Sequence, residues 1–130
     1  MNVVRFAPGV TLVPSSAGVV LLSVFQAATQ HFHEDWLVTS GSDSHTTGAH
    51  PTGEAFDVSV FAWNPTQVVE RYHWLVTMLG PLFYVQYEVP ESSVVLALQA
   101  IQVVSAKATG PHLHCQRARG TVYPPTTVSA

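Results

Sequence analysis

Three things are scarce in this chain: cysteine, basic side chains and long apolar runs. Each shortage excludes a class of protein. A single cysteine, Cys115, rules out an intramolecular disulfide framework and a cysteine-rich zinc module. Only five residues are lysine or arginine, three of them spread over 107–119. That is no electrostatic footprint for nucleic acid, so none is expected as a partner. No apolar run approaches the ~20 residues that span a bilayer. The nearest, AGVVLLSVFQAA at 17–28, is broken by Gly18, Ser23 and Gln26. It also makes a poor leader, because only Arg5 precedes it and no cleavage site is evident. The expectation is a chain made in the cytoplasm without a signal peptide, with no membrane partner and acting as a monomer.

What is present is globular in character. Of the 130 residues 47% are hydrophobic and 10% charged, with a formal net charge of −3. That is too apolar for a disordered chain and long enough for one domain, 1–130, with its own core.

The periodicity predicts an α+β domain. Residues 8–18 read as a loop ending in Ser15 and Ser16, either of which suits a helix N-cap. A helix should follow to about Gln30, burying Val20, Leu21, Val24, Phe25 and Ala28. Trp36–Thr39 reads as a short buried strand, and residues 40–53 (SGSDSHTTGAHPTG) as a long polar loop of a functional kind. Residues 55–61 alternate as a strand, with Ala55, Asp57 and Ser59 on one face. Asn64-Pro65 opens a second helix that Gly80 ends. Strands are expected at 82–89 and at PHLHCQ, with a third helix over 91–103. The sum is a small, mainly antiparallel sheet with helices packed on one side.

Two stretches carry chemistry. The last strand holds His112 and His114, which alternation places on one face, about 6.5–7 Å apart along it. In HPTGEAFD (50–57), Asp57 lies on the small-residue face between Ala55 and Ser59. An unpaired carboxylate there is costly unless a cation or donor faces it. Two rings and a carboxylate from separate strands can therefore converge on one ion, with His50 in the polar loop just before Asp57. Nitrogen and oxygen ligands of this kind suit zinc, and three protein ligands leave a fourth position open.

HPTGEAFD matches the H-x-x-G-x-A-x-D pattern and resembles the D-Ala-D-Ala carboxypeptidase / L-alanyl-D-glutamate endopeptidase family. ATGPHLHCQ is similar to the TGPHLH segment of lysostaphin-type peptidases. Both belong to a superfamily of zinc peptidases that includes the hedgehog signalling domain, and the likeness covers roughly residues 8–120. The resemblance implies a hedgehog-like or D-Ala-D-Ala-peptidase-like fold. It implies Zn2+ on His50, Asp57 and His114, with His112 as the catalytic histidine and Gly53 and Ala55 as the small residues that let the motif turn. The implied reaction is amide hydrolysis in peptidoglycan peptides, by a bacteriophage lysis or virion-associated enzyme that meets the wall after release or in the virion. Alternatives in keeping with the same likeness are a non-catalytic zinc-containing binding module, and zinc held by His50, His112 and His114 with Asp57 behind them.

The chain departs from that pattern twice. Relatives often carry a carboxylate three residues before the last ligand as general base, where this chain has Pro111. Glu88, on the preceding strand, is the nearest substitute. They also carry a carboxylate-binding arginine after a Thr-Ser-Gly turn, where this chain has Ser42, Asp43 and Ser44. The first leaves the general base to His112 or to a residue elsewhere, and the second points to an endopeptidase. Elsewhere, His31 and His33 read as a helix end, His45 as an exposed loop residue and Cys115 as a buried core thiol. Tyr84 and Gln86 share the strand face of Glu88.

Overall fold

The structure is a computed structural model and describes residues 1–42 and 49–118. Asp43, Ser44 and His45 therefore lie outside the described residues. Six strands form one sheet: β1 (Val4–Phe6), β2 (Trp36–Ser40), β3 (Ala55–Ser59), β4 (Phe83–Val89), β5 (Gln102–Val104) and β6 (His112–Arg117). Their order is β1-β2-β3-β6-β4-β5. The inner pairings β2–β3, β3–β6 and β6–β4 are antiparallel, while the edge strands β1 and β5 pair in parallel. The sheet is thus mixed, and the antiparallel expectation describes its centre alone.

Two helices join a common core on one sheet face: α1 (Ser16–Phe32) and α2 (Pro65–Leu79). Leu21 and Phe25 of α1 and Val68 and Leu75 of α2 pack with Val38, Phe56, Val58, Val85, Leu113 and Cys115. The strand residues between these, including Asp57, Glu88, His112 and His114, point to the opposite face by alternation. Among the described residues no helix is long and apolar enough to cross a membrane.

Local chemistry explains both helix starts. Ser15 accepts from the Gly18 N–H at 2.9 Å and caps α1. Asn64 and Gln67 close a reciprocal capping box at α2, behind Pro65. The end of α1 falls two residues beyond the expected Gln30, at Phe32. His33 closes it in a left-handed conformation at φ 54°, its N–H bonded to the Thr29 carbonyl.

Residues 91–103 overturn the expected third helix. They form two short 3-10 turns, Glu91–Ser93 and Leu96–Leu98, followed by β5. Pro90, Val94 and Val95 all adopt extended backbone, as β-branched and ring-constrained residues prefer. The Gln102 side chain accepts from the Val95 N–H at 3.1 Å. β5 then covers part of the exposed edge of β4, and that pairing decides the matter. β1, absent from the sequence reading, is held by Asp35, which accepts from the Val3 N–H at 2.8 Å and from Arg5 Nε at 2.7 Å.

Candidate metal centre

Register assembles the site. Asp57 of β3 lies directly opposite His114 of β6, and Ser59 opposite His112. On the other flank of β6, Glu88 of β4 lies opposite His112 and Gln86 opposite His114. Four chemically active side chains thus share one face at the centre of the sheet.

His50 reaches this face from the loop before β3, and the loop is braced to hold it there. The β2–β3 register shifts between Val38 and Ser40, a bulge that ends the pairing beside Asp57. The chain then turns through Gly41, whose carbonyl accepts from His50 Nδ1 at 2.9 Å. Gly53 sits at φ +77°, and a Cβ there would fall 1.9 Å from the Val13 carbonyl oxygen. Its own carbonyl accepts from Ser15 Oγ at 2.9 Å. Only glycine meets both the backbone angle and the close approach. Ala55 is fully buried.

The inner atoms converge. His114 Nδ1 lies 2.9 Å from Asp57 Oδ1 and 3.2 Å from His50 Nε2, and His50 Nε2 lies 3.5 Å from Asp57 Oδ1. All three side chains are buried. The outer nitrogens are engaged elsewhere, since His50 Nδ1 donates to Gly41 and His114 Nε2 donates to Gln116 Oε1 at 2.7 Å. Each ring is thereby fixed with its other nitrogen inward, the arrangement that outer hydrogen bonds impose on metal-bound histidines. His50, Asp57 and His114 offer ligand atoms all within 4.8 Å of one another, close enough to hold one metal ion. The donor set fits such an ion: two imidazoles and a carboxylate oxygen, three electron-pair donors facing one point.

His114 Nδ1 thus faces both Asp57 Oδ1 and His50 Nε2. Burial alone would lower the His114 pKa. The hydrogen bonds to Asp57 and Gln116 and the charges of Asp57 and Glu88 outweigh it and raise the pKa above its ordinary value. Burial likewise pushes Asp57 up, but bonds from His114 and His50 and the charges of His112 and His50 bring it well below the usual carboxylate range.

His112 stands beside this trio. Its Nδ1 donates to the Gly110 carbonyl at 3.0 Å, and its Nε2 lies 2.9 Å from Glu88 Oε1. With an acceptor opposite each ring nitrogen, the surroundings favour the charged form of the ring. Burial opposes its charge, but the bond to Glu88, the charge of Asp57 and the Gly110 carbonyl raise its pKa overall. His112 Nε2 is 3.7 Å from Asp57 Oδ1. Asp57, Glu88 and His112 form a second, less buried cluster of metal-ligand spacing that shares Asp57 with the first.

A pH prediction follows for the metal-free protein. The pKa values of His112 and His114 are raised on folding, so their contribution is complete below ~6.5 and is lost as pH climbs through the raised values. Asp57 contributes above its ordinary value, and that share is lost only as pH falls through its lowered one. Metal-free protein should therefore melt at a lower temperature at pH ~9 than at pH ~6. A divalent ion should remove most of this difference, as differential scanning calorimetry at both pH values will test.

The open side of the trio faces a cleft of about 220 Å³ lined by His50, Asp57, Glu88, Ser105, Lys107, Ala108, His112 and His114. Tyr84 and Gln86 line a separate pocket of about 410 Å³, although the Tyr84 ring centroid lies 6.0 Å from that of His114. Gln116 was legible in principle, two residues beyond His114 on the same face. Nothing local to the sequence marked Gly41, Ser105 or Lys107. His31 and His33 take no part: His31 stacks on Trp74 at 5.4 Å, and His33 caps α1. Cys115 is buried in the core, and burial pushes its thiol pKa up.

Comparison of the chain with protein-family models, curated proteins and solved structures finds no match.

Proposed function

We propose that this chain is a zinc-dependent peptidase that hydrolyses amide bonds within the peptides of bacterial peptidoglycan. The observation that carries the reading is a buried His50–Asp57–His114 ligand set opening onto a cleft, with a His112–Glu88 acid–base pair beside it. The likeness of HPTGEAFD and TGPHLH to zinc peptidases of the lysostaphin and D-Ala-D-Ala peptidase kind supports the substrate class, and with it a hedgehog-like fold.

A zinc ion in this set would supply Lewis acidity, polarising a carbonyl and acidifying water. The chain's own residues would do the rest. Glu88, whose carboxylate lines the cleft, accepts the proton of the attacking water. The absence of a carboxylate at Pro111 is met in this way from β4. His112 enters as an acid, its Nε2 proton available to the developing oxyanion and then to the leaving amine. Gly110 holds that ring in place through Nδ1, and Asp57, 3.7 Å away, favours its charged form.

The test is mass spectrometry of soluble fragments released from purified peptidoglycan by zinc-loaded and metal-stripped protein. Zinc-dependent fragments carrying a new peptide terminus are expected, and they name the bond cut. No release by protein shown to hold one zinc per chain would replace the peptidase with a non-catalytic zinc-containing binding module.

A further inference from the structure

The cations of the described residues are distributed unevenly. Arg5 pairs with Asp35, Arg71 with Glu34 and Glu70, and Arg117 with Glu54. Lys107 is the exception. It has no carboxylate partner among the described residues, and it lines the cleft beside the His50–Asp57–His114 set.

Its base is held while its side chain is exposed. Lys107 sits in a turn closed by the Ala108 N–H on the Ser105 carbonyl at 3.2 Å. The Ser105 N–H in turn bonds the Val89 carbonyl at 2.9 Å, anchoring the turn to the strand that carries Glu88. The acids within the cleft do not claim the ammonium, because Asp57 is bonded to His114 and Glu88 to His112. A positive charge therefore stands at the rim of the reaction site, fixed at its root, with no carboxylate partner among the described residues.

We propose that Lys107 supplies specificity by binding a free carboxylate of the substrate, next to the amide that is cut. The substrate class is then an anionic peptide, with the carboxylate at its C-terminus or on a side chain within reach of the cleft. This inference rests on the peptidase reading and adds to it the charge of the substrate. Lys107 does not touch the reacting atoms and is a specificity residue.

The test measures both binding and cleavage. Synthetic stem peptides are prepared with the C-terminal carboxyl free or amidated, and separately with the D-glutamyl carboxyl free or amidated. Calorimetric titration into the zinc-loaded full chain gives their affinities, and chromatography of the same mixtures gives cleavage. At one of the two positions amidation should weaken binding to the native chain about fivefold. It should have no such effect on the Lys107→Gln chain, and Lys107→Arg should restore the preference. Which position responds distinguishes a terminal from a side-chain carboxylate.

Equal sensitivity to amidation in native and Lys107→Gln chains, or none in the native chain, would overturn the proposal. Cleavage persisting alongside either result would leave the peptidase reading standing. Lys107-dependent binding without cleavage would do the reverse. No binding of any peptide would sink both.

Discussion

Glu88→Gln and Asp57→Ala should separate chemistry from metal binding, with the largest effects on function of any changes in the chain. Asp57→Ala removes one of three ligands, so zinc affinity should fall by more than the ~10–100-fold that loss of an outer hydrogen-bond partner costs. Hydrolysis should disappear with it. Glu88→Gln leaves His50, Asp57 and His114 in place and should retain one zinc per chain, while hydrolysis falls by about 10²–10⁴. The carboxylamide is not a proton acceptor, and His112 loses the negative partner that favours its imidazolium form. Atomic absorption for the metal and fragment release for the rate give both readings on the same preparations. Zinc at two per native chain, falling to one in Glu88→Gln, would assign the Asp57–Glu88–His112 cluster to a second ion. His112 would then be a ligand, and its role as the acid would fail.

Much of this site was legible because strand periodicity is simple. Alternation alone puts His112 with His114, and Ala55 with Asp57 and Ser59, on single faces, and the register then sets Asp57 against His114. The helix starts were equally legible, since Ser15, Asn64 and Pro65 act on their immediate neighbours. The failures are long-range. Residues 91–103 contain a run of apolar side chains that no local rule divides between helix and strand. The open edge of β4 settles it, and that edge exists only once the sheet has formed. Glu88 had the right face by alternation, yet its contact with His112 depends on β4 pairing with β6 across 24 residues of sequence. Lys107 lines the cleft from a turn tied to Val89, a contact distant in sequence.

Arg71→Ala should be the most destabilising single change to the scaffold, at about 3–5 kcal/mol. Arg71 is only 4% exposed, and its guanidinium is fully committed. Nε and Nη2 each donate to a different oxygen of Glu34 at 2.7 Å, and Nη1 donates to Glu70 at 3.0 Å. The guanidinium carbon also stands 4.4 Å from the Phe32 ring centroid and 5.2 Å from that of Trp63. Glu34 in addition accepts from Trp36 Nε1 at 2.9 Å. One side chain on α2 thus ties the end of α1 to the first residue of β2. Alanine leaves a cavity and a half-buried carboxylate without its cation, and the second effect dominates. Urea denaturation should show a lower midpoint with an unchanged slope, the mark of lost stability without a change in the surface exposed. The double change Glu34→Gln with Arg71→Met should cost less than Arg71→Ala alone, because it removes both charges and keeps the volume. The cluster lies on the helix side of the sheet and the ligand set on the other. Whatever fraction of Arg71→Ala remains folded in the cold should bind zinc as the native chain does. Weakened binding in that folded fraction would mean that the two faces of the sheet are coupled.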